Sequence, residues 1–80
     1  MEDKIIGLFA AVLNIEPAAI SDDSRPSNLE RWDSLQHLIL ISSFEEEFGI
    51  DIDPDEVVEM YEDFATFRRF VIEKAAAAAG

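Results

Sequence analysis

Apolar side chains at helical spacing are the feature that most limits what this chain can fold into. From Asp3 to Leu13 they recur at steps of three and four residues, which predicts one buried stripe along a helix: Ile5, Leu8, Phe9, Val12 and Leu13. Asn14 is placed to close this helix. The same spacing returns twice later in the chain, so the sequence predicts an all-α fold.

The segment Leu35–Phe48 is predicted to be the second helix. Its apolar period runs through Leu35, Leu38, Ile41 or Ser42, and Phe44 or Glu45. Gly49 follows at the position where a left-handed glycine commonly ends a helix. Ile39 and Leu40 widen the apolar surface beyond one stripe, and Ile39 is the better candidate for an exposed contact.

Helix-start signals predict two more helices. In Asp53-Pro54-Asp55-Glu56, the aspartate can cap, the proline suits the first helical position, and the glutamate completes a D-x-x-E capping box. This third helix is short and ends near Met60 or Tyr61. Thr66 is predicted to cap the fourth helix, whose apolar side is Phe67, Phe70 and Val71. The fold class is therefore a four-helix bundle with a short third helix.

A long loop separates the first two helices. Pro17, Pro26 and the polar cluster Ser21–Ser24 exclude a long regular element between Ile15 and Trp32. A loop of roughly 18 residues is long for so small a domain, and long ordered loops are usually functional. Three apolar side chains are expected to attach it to the core: Ile15, Ile20 and Leu29.

Length and composition predict one small domain. The chain has 80 residues and no cysteine, so its core must form without disulfides. We expect the domain to cover residues 1–74 and the alanine-rich tail, residues 75–80, to fray. No apolar run approaches the roughly 20 residues of a membrane span. The opening MEDK carries acids where a signal peptide carries positive charge, so a soluble, cytoplasmic protein is expected. We also expect a monomer.

The charge is strongly negative and uneven. The net charge is −12, and the interval from Trp32 to Phe67 contains 11 of the 18 acids without a lysine or arginine. Such a surface repels nucleic acid and favours partners with basic patches. A merely solvated acidic face is the alternative.

The stretch RWDSLQHL, residues 31–38, lies where the loop becomes the second helix. Asp33 can cap this helix, because Gln36 then stands at the third helical position. Ser34 would become the first residue inside, with its hydroxyl where free backbone N–H groups favour an attached phosphate. Leu35 is expected to bury and to hold the turn rigid. An unmodified serine that itself caps the helix is the alternative.

Several motifs of the chain resemble those of acyl carrier proteins. Asp33-Ser34-Leu35 looks like the D-S-L attachment motif of that family, and Trp32 before it gives the W-D-S-L version of many discrete carriers. Glu45-Glu46-Glu47-Phe48 is similar to the E-E-E-F that closes the family's second helix. Gly49-Ile50-Asp51-Ile52 resembles the G-I-x-I that follows. With Thr66-Phe67 at the last helix, the resemblance extends to Lys74.

The resemblance implies a carrier without catalytic activity of its own. Ser34, flanked by Asp33 and Leu35, would be esterified to 4′-phosphopantetheine, whose thiol holds acyl groups as thioesters. The pathway would be fatty-acid, polyketide or related specialised acyl biosynthesis. Partners would be a phosphopantetheinyl transferase and acyl-loading, modifying and transferring enzymes with basic docking patches. The residues that would meet them are Gln36, Ile39, Glu45, Glu46, Asp55 and Glu56. An aminoacyl or peptidyl carrier, or an unmodified acidic interaction domain, is the alternative.

Other interpretations of the same residues are weaker. Asp33, Ser34 and His37 are the residue types of a hydrolase triad, but no G-x-S-x-G turn surrounds the serine. We therefore expect His37 to be a surface residue of the docking helix. The acids of residues 51–62 have the spacing of a calcium-binding loop, but a helix start lies inside that loop. Trp32 is expected to pack beneath the loop.

Overall fold

The computed structural model describes residues 2–79, and these form helices and loops without a strand. The four helices are α1 (Glu2–Leu13), α2 (Ser34–Phe48), α3 (Pro54–Met60) and α4 (Phe64–Ala79), and a 3₁₀ turn (Pro17–Ala19) lies between α1 and α2. The all-α class and the short third helix are confirmed. Within residues 2–79, no helix combines the length and apolar character that crossing a membrane requires. Met1 and Gly80, the ends of the expected domain and tail, lie outside the described residues.

The helices α1 and α2 each end at a residue whose backbone is left-handed. Asn14 has φ 58°, and beyond it the Ile15 N–H donates to the carbonyl oxygen of Ala10 at 3.0 Å. Gly49 has φ 63° and ψ 41° and donates its N–H to the carbonyl oxygen of Glu45. Both predicted helix ends are confirmed, because an amide or a glycine tolerates this backbone region.

The start of α3 is the predicted capping arrangement. Pro54 is the first helical residue, and the Asp53 N–H donates to Oε1 of Glu56 at 2.9 Å. The prediction for the start of α4 is wrong. Asp63, and not Thr66, caps this helix, because Oδ1 of Asp63 accepts the Thr66 N–H at 2.8 Å. Hydrogen bonds of Asp63 with the side chain and the backbone N–H of Thr66 hold the pKa of Asp63 below its usual value.

One core joins the four helices and the loop. Its largest fully buried side chains are Trp32, Phe9, Phe44, Phe64, Phe67, Ile5, Leu13, Leu40, Met60 and Val71. The ring of Phe9 meets those of Trp32, Phe64 and Phe67 edge to face at centroid distances of 5.1, 4.9 and 5.2 Å. The predicted packing of Trp32 beneath the loop is confirmed.

The long loop is attached to the start of α4. The Phe64 N–H donates to the carbonyl oxygen of Ser24 at 2.7 Å, and the Ala65 N–H to that of Asp22 at 3.4 Å. The Asp22 carboxylate also contacts Nη1 of Arg68 at 2.7 Å. As expected, Ile15, Ile20 and Leu29 are half-buried against the core. The loop therefore supplies partners for backbone N–H groups that a helix start leaves free.

The alanine-rich end continues α4. The helix runs through Ala79, and Ala75 packs into the core. The domain boundary at Lys74 and the fraying of the last turns in solution stay predictions.

Candidate functional site

At the start of α2, the helix is capped by Asp33 and not by the hydroxyl of Ser34. Asp33 has an extended backbone (φ −111°, ψ −179°), and its Oδ1 accepts the Gln36 N–H at 2.8 Å. Ser34 is therefore the first helical residue, as predicted, and it is exposed. The alternative in which Ser34 caps the helix is wrong. Its side chain stands beside the first backbone N–H groups of a 15-residue helix, at the positive end of the helix dipole.

This geometry suits a covalently attached phosphate. An exposed hydroxyl is within reach of a modifying enzyme, and the free N–H groups of the first turn stabilise the negative charge of a phosphodiester. The residues present at the start of α2 therefore fit a group that is linked to serine through phosphate.

An apolar patch follows Ser34 on the outside of α2. Leu35 is 64% exposed, Leu38 59% and Ile39 43%. Steps of three and four residues place these three side chains on one side of the helix, here named the apolar face. The prediction that Leu35 buries is wrong, and so is the assignment of Leu38 to the buried stripe. The predicted exposure of Ile39 is confirmed.

The buried side of α2 is rotated from the predicted one. It consists of His37, Leu40, Ile41 and Phe44. The five apolar residues between positions 35 and 41 do not define which side of the helix is buried. Of the four buried residues, His37 is the polar one. Counting back from Phe44 by helical steps reaches Leu40 or Ile41 and then His37, which is the signal that the sequence offered.

His37 is buried, so its predicted place on the surface is wrong. It is 4% exposed and joins two separate parts of the molecule. Its Nδ1 accepts the indole N–H of Trp32 at 3.0 Å, and its Nε2 donates to the carbonyl oxygen of Val57 at 2.7 Å. The two partners offset the cost of burying a polar ring. Burial lowers the pKa of His37 below the ordinary histidine value, and the bond to Val57 opposes that shift.

The acids of α2 and α3 divide into two groups. Glu46 and Asp55 are exposed. Glu45 is half-buried, and its Oε2 accepts the Ile52 N–H at 2.9 Å. Oε1 of Glu56 lies 2.7 Å from Nζ of Lys74. Glu45 and Glu56 therefore also hold the fold together, which the sequence pattern did not indicate.

Known proteins share the sequence pattern over most of the chain. The family model described as the phosphopantetheine attachment site matches residues 3–71. The acyl carrier protein of Rickettsia typhi is 38% identical over 60 residues, which cover 75% of this chain and 70% of that protein. The acyl carrier proteins of Rickettsia prowazekii and Rickettsia canadensis are 38% and 37% identical over the same lengths.

This chain belongs to the acyl carrier protein family. The cofactor of the family is 4′-phosphopantetheine, which is attached covalently. The start of α2 meets the need of this cofactor for a serine hydroxyl that is exposed and lies beside free backbone N–H groups.

The geometry disfavours a hydrolase mechanism in this chain. Both ring nitrogens of His37 are used, one by Trp32 and one by Val57, so the imidazole is not placed to take a proton from Ser34. The calcium-loop interpretation also conflicts with the structure, because α3 begins at Pro54, inside the supposed loop.

Proposed function

We propose that this chain carries acyl groups on 4′-phosphopantetheine attached to the hydroxyl of Ser34, in fatty-acid, polyketide or related specialised acyl biosynthesis. The proposal rests mainly on the observation that Asp33 and Ser34 have different roles at the start of α2. Asp33 caps the helix, which leaves the exposed Ser34 hydroxyl for modification. The chain itself is not an enzyme in this proposal.

The residues around Ser34 prepare the attachment. The bond from Gln36 to Asp33 fixes the turn, so the serine is presented on an ordered helix start. Backbone N–H groups of the first turn stabilise the phosphodiester charge. Leu35, exposed next to the serine, offers an apolar contact to a transferase. When attached, the arm supplies a terminal thiol that holds an acyl group as a thioester.

The outer sides of α2 and α3 are the proposed docking surface. Gln36 and Ile39 lie on α2, where they flank the attachment turn. Glu46 and Asp55 are exposed charges for basic patches on a phosphopantetheinyl transferase and on acyl-processing enzymes. Glu45 and Glu56 are part of the same proposal, because each uses one carboxylate oxygen for its internal bond and can present the other.

The attachment is tested by incubating the unmodified protein with a phosphopantetheinyl transferase and coenzyme A, followed by intact-mass measurement. We expect the addition of one arm to the wild type and none to Ser34→Ala. Ser42→Ala is the matched control, because Ser42 is another exposed serine on α2, and it should be modified like the wild type. Modification of Ser34→Ala would move the site elsewhere. An unmodified wild type, with a transferase active on another carrier, would favour the acidic interaction domain.

The class of cargo is tested by the mass of the thioester isolated from the protein's own cells. A fatty or polyketide acyl group would support the proposal. An aminoacyl or peptidyl group would replace it with the alternative carrier class.

A further inference from the structure

The single tryptophan and the single histidine of the chain are hydrogen-bonded to each other. Trp32 lies two residues before Ser34 and His37 three residues after it, so their bond closes the turn that presents the serine. The same imidazole holds the backbone of α3 through Val57. We propose that neutral His37 is a positioning residue that holds the attachment turn and α3 together, and that its protonation loosens both.

The two bonds allow one protonation state of the ring. An indole N–H can only donate, so Nδ1 of His37 must accept. A carbonyl oxygen can only accept, so Nε2 must carry the proton. A second proton on Nδ1 would place two donors against each other at 3.0 Å, and the bond between Trp32 and His37 would be lost.

The surroundings of the ring offer little to stabilise a positive charge. It faces Trp32 from the loop, Val57 in α3, Tyr61 at the end of α3, and Phe67 in α4. Tyr61, whose ring centroid lies 4.7 Å from that of the imidazole, is the titratable group among these, and none of them is a carboxylate. Protonation therefore favours a state in which the ring reaches water.

The helix that would respond has one fully buried side chain, Met60, and is otherwise joined to its neighbours by a few polar contacts. The His37 bond joins α2 directly to the backbone of α3. The bond from Ile52 to Glu45 holds the segment that leads into α3, and the pair of Glu56 and Lys74 joins α3 to α4. Loss of the first contact removes the bond between α2 and the middle of α3, so α3 is then held by Met60, by its attached start and by the pair of Glu56 and Lys74.

The sign of the pH dependence follows from the lowered pKa of buried His37. The opened state takes up a proton near the ordinary histidine pKa of about 6.5, while the closed state does so only at lower pH. Opening of α3 should therefore increase as pH falls below this ordinary value, by at most about tenfold per pH unit. The increase stops below the pKa of the closed state.

The unmodified protein tests this inference without any transfer reaction. We expect the NMR signals of the His37 ring and of the Trp32 indole N–H to titrate together, at a pH below the ordinary histidine value. Hydrogen-exchange protection factors of residues 57–60 should fall over the pH window above that point. In His37→Gln, which can accept and donate but does not titrate, this pH dependence should disappear. His37→Asn serves the same purpose if the glutamine variant does not fold.

A second variant tests the role of the indole N–H. Trp32→Phe removes the donor that opposes protonation, so the pKa of His37 should rise, as measured from its ring signals. An unchanged pKa would overturn the inference. Independent titration of the two rings, or equal acid response of residues 57–60 in wild type and His37→Gln, would also overturn it.

The consequence for loading rests on the proposed function. The phosphopantetheinyl transfer rate of the wild type, divided by that of His37→Gln at the same pH, should fall as pH decreases. The ratio cancels the pH dependence of the transferase and of the acids that both proteins share. A constant ratio would overturn the positioning role, whereas absence of loading in both proteins, with the ring titrations as expected, would count against the proposed function alone.

Discussion

Two adjacent residues at the start of α2 have separate tasks. Asp33 accepts a backbone N–H of the helix, and Ser34 exposes its hydroxyl beside the remaining ones. If Ser34 had to cap the helix, its hydroxyl would be tied to the backbone. Capping by Asp33 therefore leaves the hydroxyl of Ser34 available for the proposed modification.

The contribution of the cap is measurable. Asp33→Ala removes the acceptor of the Gln36 N–H, and we expect unfolding in urea to show a loss of about 1 kcal/mol, typical of a lost N-cap. Asp33→Asn keeps an acceptor oxygen at the same position and should lose less. Equal losses in the two variants would show that the carboxylate charge, and not the capping bond, stabilises the turn.

Sequence patterns predicted the features of this site that depend on near neighbours. The roles of Asp33 and Gly49 were correctly predicted, because a cap or a left-handed residue is decided within one helical turn. Leu35 and His37 were assigned to the wrong environment, because their burial depends on how α2 is rotated against the core. Hydrophobicity alone did not predict the burial of His37, because the partners that allow it come from the loop and from α3.

Among the helices, α3 is the least secured by packing. It has seven residues, of which Met60 is fully buried, while Val58 is 75% exposed. The interval from Asp51 to Asp63 carries seven acids and no base, so its charges repel each other. The basic partner nearest in the structure is Lys74 of α4, whose Nζ contacts Glu56. This pair lowers the pKa of Glu56 and raises that of Lys74.

The third helix should be the first to open. At low salt and neutral pH we expect lower hydrogen-exchange protection for residues 57–61 than for residues 38–44, because few apolar contacts offset the repulsion. Added salt should narrow the difference by screening the acids.

A pair of variants separates the role of Lys74 from the effect of charge in general. Lys74→Met removes the cation that contacts Glu56, so the protection of residues 57–61 should fall further. Lys4→Met removes a cation that pairs with Glu47 of α2, and it should leave α3 unchanged. If the two variants affected α3 equally, the net charge and not the local pair would control its opening.

For the whole molecule, we expect the charge of −12 to favour encounters with basic protein surfaces. Four acids of α2 and α3 are exposed, in a part of the sequence without a lysine or arginine: Glu46, Glu47, Asp55 and Glu59. The apolar face is exposed on α2 as well. Such a surface should attract a partner's basic patches at long range. Apolar contacts with the apolar face of α2 would then stabilise the complex with that partner.

Reversal of exposed acids should weaken transfer from the loading enzymes. Glu46→Lys combined with Asp55→Lys should reduce the transfer rate, and the wild-type rate should fall as salt rises, since charges are screened beyond about 8–10 Å. Glu45 is excluded from this test because its bond to Ile52 supports the fold.

The matched control changes the net charge equally at another place. Glu16→Lys combined with Asp23→Lys alters two exposed acids of the long loop, outside α2 and α3. This variant should transfer at close to the wild-type rate. Equal losses in both double variants would mean that total charge, and not a docking surface, sets the rate.

The attachment of the loop to α4 also sets an order of events during folding. The carbonyl oxygens of Asp22 and Ser24 accept N–H groups that lie roughly 40 residues later in the chain. Helical turns close over a few residues and form quickly, whereas a contact at a roughly tenfold larger separation costs about 2 kcal/mol more in chain entropy. The loop should therefore become ordered after α2 and α3, which lie between the loop and α4 in the sequence, have formed. Ser24→Ala, which removes the hydroxyl that accepts the Ser21 N–H within the loop, would then speed unfolding and leave the folding rate nearly unchanged.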